Sequence, residues 1–89
     1  MNSSVRDVIQ QQYRQALEES GQPVPAVFPD ELVLLQSGLD SMGFAILITQ
    51  LEEQLGYDPF TLMTEAVYPR TMGEFVEVYE RFASHRREA

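Results

Sequence analysis

The stretch of sequence that decides the fold is residues 35–56, which read LQSGLDSMGFAILITQLEEQLG. Asp40 precedes a long run of helix-compatible residues, where its carboxylate can accept hydrogen bonds from the free N–H groups of a first helical turn. Gly56 closes the run and suits the left-handed stop that ends many helices. The pattern predicts a helix over residues 41–55. Its core stripe is expected to comprise Phe44, Leu47, Ile48, Leu51 and Leu55, widened by Met42, Ala45 and Ile46. For Met42, an exposed position stays an equal alternative.

Upstream of this stretch, the sequence predicts one helix and a long connection. Ser4, with Asp7 three residues later, resembles a capping box with Asp in place of Glu or Gln. Gly21 then provides a stop, so the first helix is expected over residues 5–19. The connection that follows is rich in apolar residues. We therefore expect it to pack over the bundle, with a helical turn near residues 30–34.

Downstream, the sequence predicts two further helices. Asp58 followed by proline suits the cap and the first position of a short helix over about residues 59–66. Thr71, with Glu74 three residues on, is a capping box that opens a last helix over about residues 72–84.

Together these segments predict an all-α fold, a four-helix bundle. It has three longer helices, one short helix and a long apolar first loop. No alternating pattern typical of strands competes with the helical spacing. At 89 residues the chain has room for one domain, so a single domain over residues 1–89 is expected.

Composition excludes several classes of function. The chain has no cysteine and no lysine, which rules out disulfides, cysteine-ligated zinc and lysine-based catalysis. Its net charge is -8, and no basic side chain lies between Gln15 and Pro69. Such a field repels nucleic acids and anionic lipids and attracts basic partners, unless the acids only aid solubility. With no long apolar run and no signal-like N-terminus, a cytoplasmic monomer without membrane or nucleic acid partners is expected.

The titratable residues do not form a recognisable active site or metal site. The single histidine, His85, lies near the end of the chain, where it is poorly placed to orient Ser41 as the nucleophile of a hydrolase. The adjacent acids Glu52 and Glu53 point different ways from a helix and lack the spacing of a calcium loop. The sequence therefore predicts a protein that is not an enzyme and has no metal site.

The remaining signal is the segment GLDSM at residues 38–42, within residues 35–42 and before a helix that ends in LEEQLG. Here the chain closely resembles the acyl carrier protein family, whose signature is a Gly-x-Asp-Ser-(Leu or Met) segment opening the second helix of a four-helix bundle. An Asp-Ser pair alone is an everyday helix start. The resemblance is carried by the eight-residue context, the helix length and the apolar loop, and it covers nearly the whole chain.

The resemblance implies a phosphoprotein in which Ser41 carries 4'-phosphopantetheine, transferred from coenzyme A by a separate phosphopantetheinyl transferase. The arm would hold acyl or aminoacyl intermediates as thioesters. A loading ligase would supply them, and downstream biosynthetic enzymes with basic docking surfaces would use them. Asp40 and Met42, beside the modified serine, and the later acids Glu52 and Glu53 are implied as residues that these partners recognise.

One departure from the family bears on the pathway. Fatty-acid carriers typically have acids in the early turns of this helix, whereas residues 42–50 contain none. This favours a specialised biosynthetic pathway over housekeeping fatty-acid synthesis, and it leaves acyl and peptidyl carriers as alternatives. A function of another class also stays open, namely an unmodified acidic adaptor that binds a basic partner through the bundle surface.

Overall fold

A computed structural model describes residues 4–65 and 68–86 of the chain. This part of the chain is mostly helical and contains no strand, as the all-α prediction requires. Its four α-helices, in chain order, are α1 Val5–Glu19, α2 Ser41–Leu55, α3 Pro59–Leu62 and α4 Met72–Arg81. Short 3-10 turns occupy Leu34–Gln36 and Ala83–His85.

The helices α1 and α2 begin and end where the sequence predicts, because the expected caps form. The Ser4 hydroxyl accepts a hydrogen bond from the Asp7 N–H at 3.1 Å. At the end of α2, Gly56 adopts a φ of 89° and its N–H donates to the Glu52 carbonyl at 2.8 Å. A left-handed residue at this position is nearly free of strain only when it is glycine.

The helix α3 is shorter than predicted. The expected segment was 59–66, but the helix ends at Leu62 and Met63 is extended. Residue 66 lies outside the described residues. The polar side chains of Thr64 and Glu65 are exposed, so further turns would have no apolar face to bury against the bundle.

The helix α4 also ends earlier than the predicted Ser84. Its capping box forms at the start, with the Thr71 hydroxyl accepting from the Glu74 N–H at 3.2 Å. At the other end the backbone leaves α geometry at Phe82 and tightens into the turn Ala83–His85. Such a change to 3-10 hydrogen bonding is common in the last turn of a helix.

The core is formed by one face each of α1, α2 and α4. Phe44 joins the three helices, because its ring lies 5.9 Å from the ring of Tyr13 on α1 and 6.4 Å from that of Phe75 on α4. Each fully buried large apolar side chain contributes about 1.5–3 kcal/mol of transfer free energy. The side chains with no or almost no exposure include Ile9, Tyr13, Leu17, Leu47, Leu51, Leu55, Met72, Phe75, Val76 and Tyr79.

The long first loop packs against the bundle, as its apolar content predicts. Phe28, Leu34 and Leu39 are buried. The helical turn lies at Leu34–Gln36 and not near residues 30–34 as expected.

The turn is displaced because the preceding residues pair with the segment that leads into α4. The Met72 N–H donates to the Leu32 carbonyl at 2.9 Å, and the Leu34 N–H donates to the Arg70 carbonyl at 3.0 Å. Val33 and Thr71 thereby form an isolated antiparallel bridge. A turn closed by the Leu32 N–H and the Pro29 carbonyl at 3.0 Å precedes this pairing, and the 3-10 helix begins only after it, at Leu34.

Candidate functional site

Ser41 is the first residue of α2, and it is exposed. Asp40 before it is extended, and its carboxylate accepts a hydrogen bond from the Gly43 N–H at 2.8 Å. The Asp40 carbonyl accepts the first helical hydrogen bond, from the Phe44 N–H at 3.0 Å. The serine hydroxyl therefore lies at the positive end of a helix of 15 residues.

Close contacts constrain the residues around the cap. Leu39 is buried, which anchors the chain just before Asp40. A Cβ on Gly43 would lie 3.3 Å from both the Leu39 side chain and the Asp40 carboxylate. Gly38 has a φ of 114°, which disfavours any other residue, and it lies against the side chain of Gln22.

The helix α1 holds the turn that leads to Ser41. The hydroxyl of Tyr13 hydrogen-bonds to the hydroxyl of Ser37, which in turn donates to the Leu34 carbonyl at 2.6 Å. Burial raises the pKa of Tyr13, against a smaller opposing effect of the Ser37 hydrogen bond. The phenol thus stays protonated at neutral pH and fixes the turn to the core four residues before the site.

The predicted recognition residues form two separate groups. Asp40 and Met42 lie beside Ser41, and Met42 is 72% exposed. Glu52 and Glu53 are also exposed, but they lie near the other end of α2. At 1.5 Å per residue the two groups are about 15 Å apart along the helix, so a partner needs a footprint of that length to contact both.

The predicted core stripe of α2 is wrong at its edge. Met42, Ala45 and Ile46 do not widen the core but face solvent, with Ile46 51% exposed. Phe44 and Ile48 are half-buried at the core boundary. The three exposed residues, which we name the α2 apolar face, line an open groove together with Thr49, Gln50 and Glu53.

Four of the residues that line this groove repeat at a helical spacing. Positions 42, 46, 49 and 53 follow one another at intervals of three and four, which is the spacing of a single helical face. The core residues Leu47, Leu51 and Leu55 follow the same spacing on another face. An apolar residue between two faces fits either of them, so periodicity alone predicts Ile46 at the edge of the core as readily as on the surface.

The Ser41 hydroxyl is exposed at the start of α2. No described side chain hydrogen-bonds to the Ser41 hydroxyl. His85 lies in the turn after α4, with its ring 6.2 Å from that of Phe82. Among residues 4–65 and 68–86, no three His, Asp or Glu side chains come together as a metal site.

None of the helices in the described ranges combines the length and the apolar character that a membrane crossing requires. Comparison of the chain with family models, curated proteins and solved structures finds no match in any of the three.

Proposed function

We propose that the protein is a carrier that holds acyl or aminoacyl intermediates on a 4'-phosphopantetheine arm attached to Ser41. The observation that supports this most strongly is the position of the serine. It is exposed, it opens a long helix capped by Asp40, and it stands in the segment GLDSM. A hydroxyl in this place is accessible to a modifying enzyme, while the residues on either side are fixed by the cap.

The site suits a phosphodiester. The N–H groups of the first turn of a helix have no intrahelical acceptor, and the helix dipole favours negative charge at this end. Asp40 binds the N–H of Gly43, which leaves the N–H groups of Ser41 and Met42 closest to an attached phosphate. These backbone groups would donate hydrogen bonds to the phosphate and orient it.

The proposed transfer forms one bond to phosphorus and breaks one. The Ser41 oxygen bonds to the phosphorus that bears the pantetheine of coenzyme A, and the phosphoanhydride bond to the adenosine half breaks. Adenosine 3',5'-bisphosphate leaves, and the serine proton passes to a base. Because no described side chain hydrogen-bonds to Ser41, that base belongs to the transferase. The attached arm supplies a terminal thiol on which other enzymes form thioesters.

The α2 apolar face supports a role outside housekeeping fatty-acid synthesis. Early in α2, where fatty-acid carriers typically have acids, this chain exposes Met42, Ala45 and Ile46. A partner that contacts these residues would gain affinity by burying them. We therefore propose a specialised biosynthetic pathway, with a loading ligase and downstream enzymes as partners.

The test is a covalent change. The purified chain, incubated with coenzyme A and a broad-specificity phosphopantetheinyl transferase, should gain the mass of one arm by intact mass spectrometry. The Ser41→Ala variant should gain nothing. The matched control Ser84→Ala, at another exposed serine, should be modified like the wild type. Modification of Ser41→Ala at a different serine would refute the assignment of the site.

A second candidate is an unmodified acidic adaptor. It is favoured by the net charge of -8 and by the exposure of Met42 and Ile46, which a binding surface would use without any arm. The same incubation separates the two functions, because the mass of an adaptor would not change.

A further inference from the structure

Residues 37–40, which we name the approach segment, lead from the first loop to the first residue of α2 and are held from both sides. At the C-terminal end of the segment, Leu39 is buried in the core and the Asp40 carboxylate caps α2. At its N-terminal end, Ser37 and Gly38 contact α1 and the residues that follow it. The contacts with α1 are separate from the cap and act on the opposite end of the segment.

The hydroxyl of Ser37 lies between α1 and the 3-10 turn that precedes the approach segment. It hydrogen-bonds to the Tyr13 hydroxyl and donates to the Leu34 carbonyl at 2.6 Å. The Tyr13 side chain is fully buried, and its ring packs edge-on against that of Phe28 with the centroids 5.5 Å apart. A phenol enclosed in this way has few alternative positions, so it holds Ser37 at a fixed place on α1.

The end of α1 contacts the next residue of the approach segment, Gly38. The Gln22 N–H donates to the Leu17 carbonyl at 2.9 Å, so Gln22 is tied to the last turn of α1. A Cβ on Gly38 would lie 3.1 Å from both Cγ and Oε1 of Gln22, which is closer than most neighbours approach a Cβ. Helix α1 and the residue bound to its last turn therefore restrict two consecutive residues of the approach segment.

The first turn of α2 depends on such support because it is intrinsically weak. The N–H groups of a first turn have no intrahelical acceptor, and helix ends fray. Gly43 lies within this turn, and glycine loses more conformational freedom in a helix than other residues do. The position of Ser41 therefore depends on the approach segment as well as on α2.

Arm transfer needs an accurately placed hydroxyl. The Ser41 oxygen bonds to the phosphorus of coenzyme A as adenosine 3',5'-bisphosphate leaves, and the serine proton passes to a base of the transferase. Reacting atoms must approach to about 3–3.5 Å in the correct direction, and a displacement of about 1 Å can lower the rate about a hundred-fold. A serine in a frayed first turn would occupy this place for only part of the time.

We propose that Tyr13 and Ser37 are positioning residues for arm transfer, because their hydrogen bond fixes the approach segment on α1 and thereby keeps Ser41 in its helical place. This inference rests on the proposed function. Neither side chain touches the reacting atoms, and both act through the backbone of the approach segment. Helix α1 thereby contributes to the modification of a serine on α2.

This role predicts an effect on kcat and not on KM. Tyr13 is buried and Ser37 is half-buried, so Tyr13→Phe and Ser37→Ala leave the exposed side chains around Ser41 in place. The transferase should therefore bind each variant as it binds the wild type, while fewer of the bound chains present the hydroxyl correctly. Equal losses in kcat and kcat/KM are the expected pattern.

The experiment measures steady-state arm transfer from coenzyme A to the full chain by a broad-specificity phosphopantetheinyl transferase, with the chain as the varied substrate. Tyr13→Phe and Ser37→Ala should each lower kcat by at least about five-fold and leave KM for the chain within about two-fold of the wild type. Circular dichroism and Tm verify that each variant is folded. Should Tyr13→Phe fail to fold, Ser37→Ala tests the role on its own, because this position is only half-buried.

Two control variants remove comparable hydroxyls beyond the other end of α2. The Tyr57 hydroxyl donates to the Tyr79 carbonyl at 2.6 Å. The Thr61 hydroxyl donates to the Asp58 carbonyl at 2.8 Å, at the same spacing of three residues as the bond from Ser37. Because Tyr57→Phe and Thr61→Val leave the approach segment intact, their kcat should stay within about two-fold of the wild type.

Amide hydrogen exchange tests the positioning without the transferase. The N–H groups of Gly43 and Phe44 report on the first turn of α2, because both bind oxygen atoms of Asp40. In Tyr13→Phe they should exchange at least about five-fold faster than in the wild type, and faster than in Tyr57→Phe, which also loses a tyrosine hydrogen bond. Equal exchange in the two variants would show that the contact stabilises the protein only as a whole, and would overturn the positioning role.

The kinetic outcomes separate this inference from the proposed function. A wild-type chain that gains no arm refutes both. If the wild type is modified, but Tyr13→Phe and Ser37→Ala match their controls in kcat or differ from the wild type only in KM, the positioning role is wrong while the carrier function stands.

Discussion

The Asp40 carboxylate accepts a hydrogen bond from the Gly43 N–H at 2.8 Å, so the residue before Ser41 caps the helix that Ser41 begins. Replacing Asp40 by Ala removes this bond, and we expect the free energy of unfolding to fall by about 1 kcal/mol. Asp40→Asn retains a capping oxygen and should be nearly as stable as the wild type. Chemical denaturation of the two variants measures the difference.

The same pair of variants separates capping from recognition. If the transferase reads the charge of Asp40, Asp40→Asn will fold normally but will accept the arm more slowly. If Asp40→Ala is as stable as the wild type, the capping interaction does not contribute to the stability of α2.

The contact between Tyr13 and Ser37 ties the approach to the site to the core. Tyr13→Phe removes a buried hydroxyl that serves both Ser37 and the turn at Leu34–Gln36. We expect it to lower the free energy of unfolding by about 1 kcal/mol. Ser37→Ala should have a similar effect.

A double-mutant cycle tests whether these two hydroxyls act together. The double variant should be less destabilised than the sum of the two single variants, because residues that share one hydrogen bond are coupled. Additive effects would show that the two hydroxyls stabilise the protein independently, contrary to this arrangement.

How much of this site could be predicted from sequence depends on the kind of interaction. Helix bounds at α1 and α2 were predictable because the caps are local, and Ser4, Asp40 and Gly56 act within four residues of their own positions. The contact from Tyr13 to Ser37 spans 24 residues and leaves no local pattern. It depends on how α1 packs against the loop, which periodicity does not specify.

Which apolar residues lie at the edge of the core could not be predicted from the sequence either. Ile46 and Ile48 are chemically identical, yet Ile46 is exposed and Ile48 packs against the core. Which of the two is buried depends on the rotation of α2 relative to α1 and α4. The sequence gives the width of an apolar stripe but not that rotation, so the α2 apolar face became apparent only in the structure.

Two buried tyrosines offer a pH-dependent test of the core. The hydroxyl of Tyr57 donates to the Tyr79 carbonyl at 2.6 Å, whereas the hydroxyl of Tyr79 is buried without a partner among the described residues. Tyr57→Phe should therefore lower the free energy of unfolding by about 1 kcal/mol. Tyr79→Phe removes an unsatisfied group, so its stability at neutral pH should equal or exceed that of the wild type.

Alkaline pH should destabilise the protein through the same residues. Burial, and to a lesser degree the charge of Asp58, raises the pKa of Tyr79 above its usual value, and burial also raises the pKa of Tyr57. In the unfolded chain a tyrosine ionises near pH 10. Folding thus favours the protonated form of both tyrosines. Their contribution to the free energy of unfolding is fully present below about pH 10 and is lost as the pH rises above it.

Denaturation series at increasing pH check this expectation. The free energy of unfolding should fall less steeply above about pH 10 in Tyr79→Phe than in the wild type, because one tyrosine with a raised pKa has been removed. Identical slopes would contradict the burial of the Tyr79 hydroxyl in the folded protein.

The central claim is that the Ser41 hydroxyl is an attachment point for an arm that another enzyme installs. It is tested most directly by producing the chain together with an active phosphopantetheinyl transferase and fragmenting it by mass spectrometry. The account predicts one phosphopantetheine on the peptide that contains Ser41 and none on any other serine. A chain that leaves these conditions with an unmodified Ser41 would contradict it.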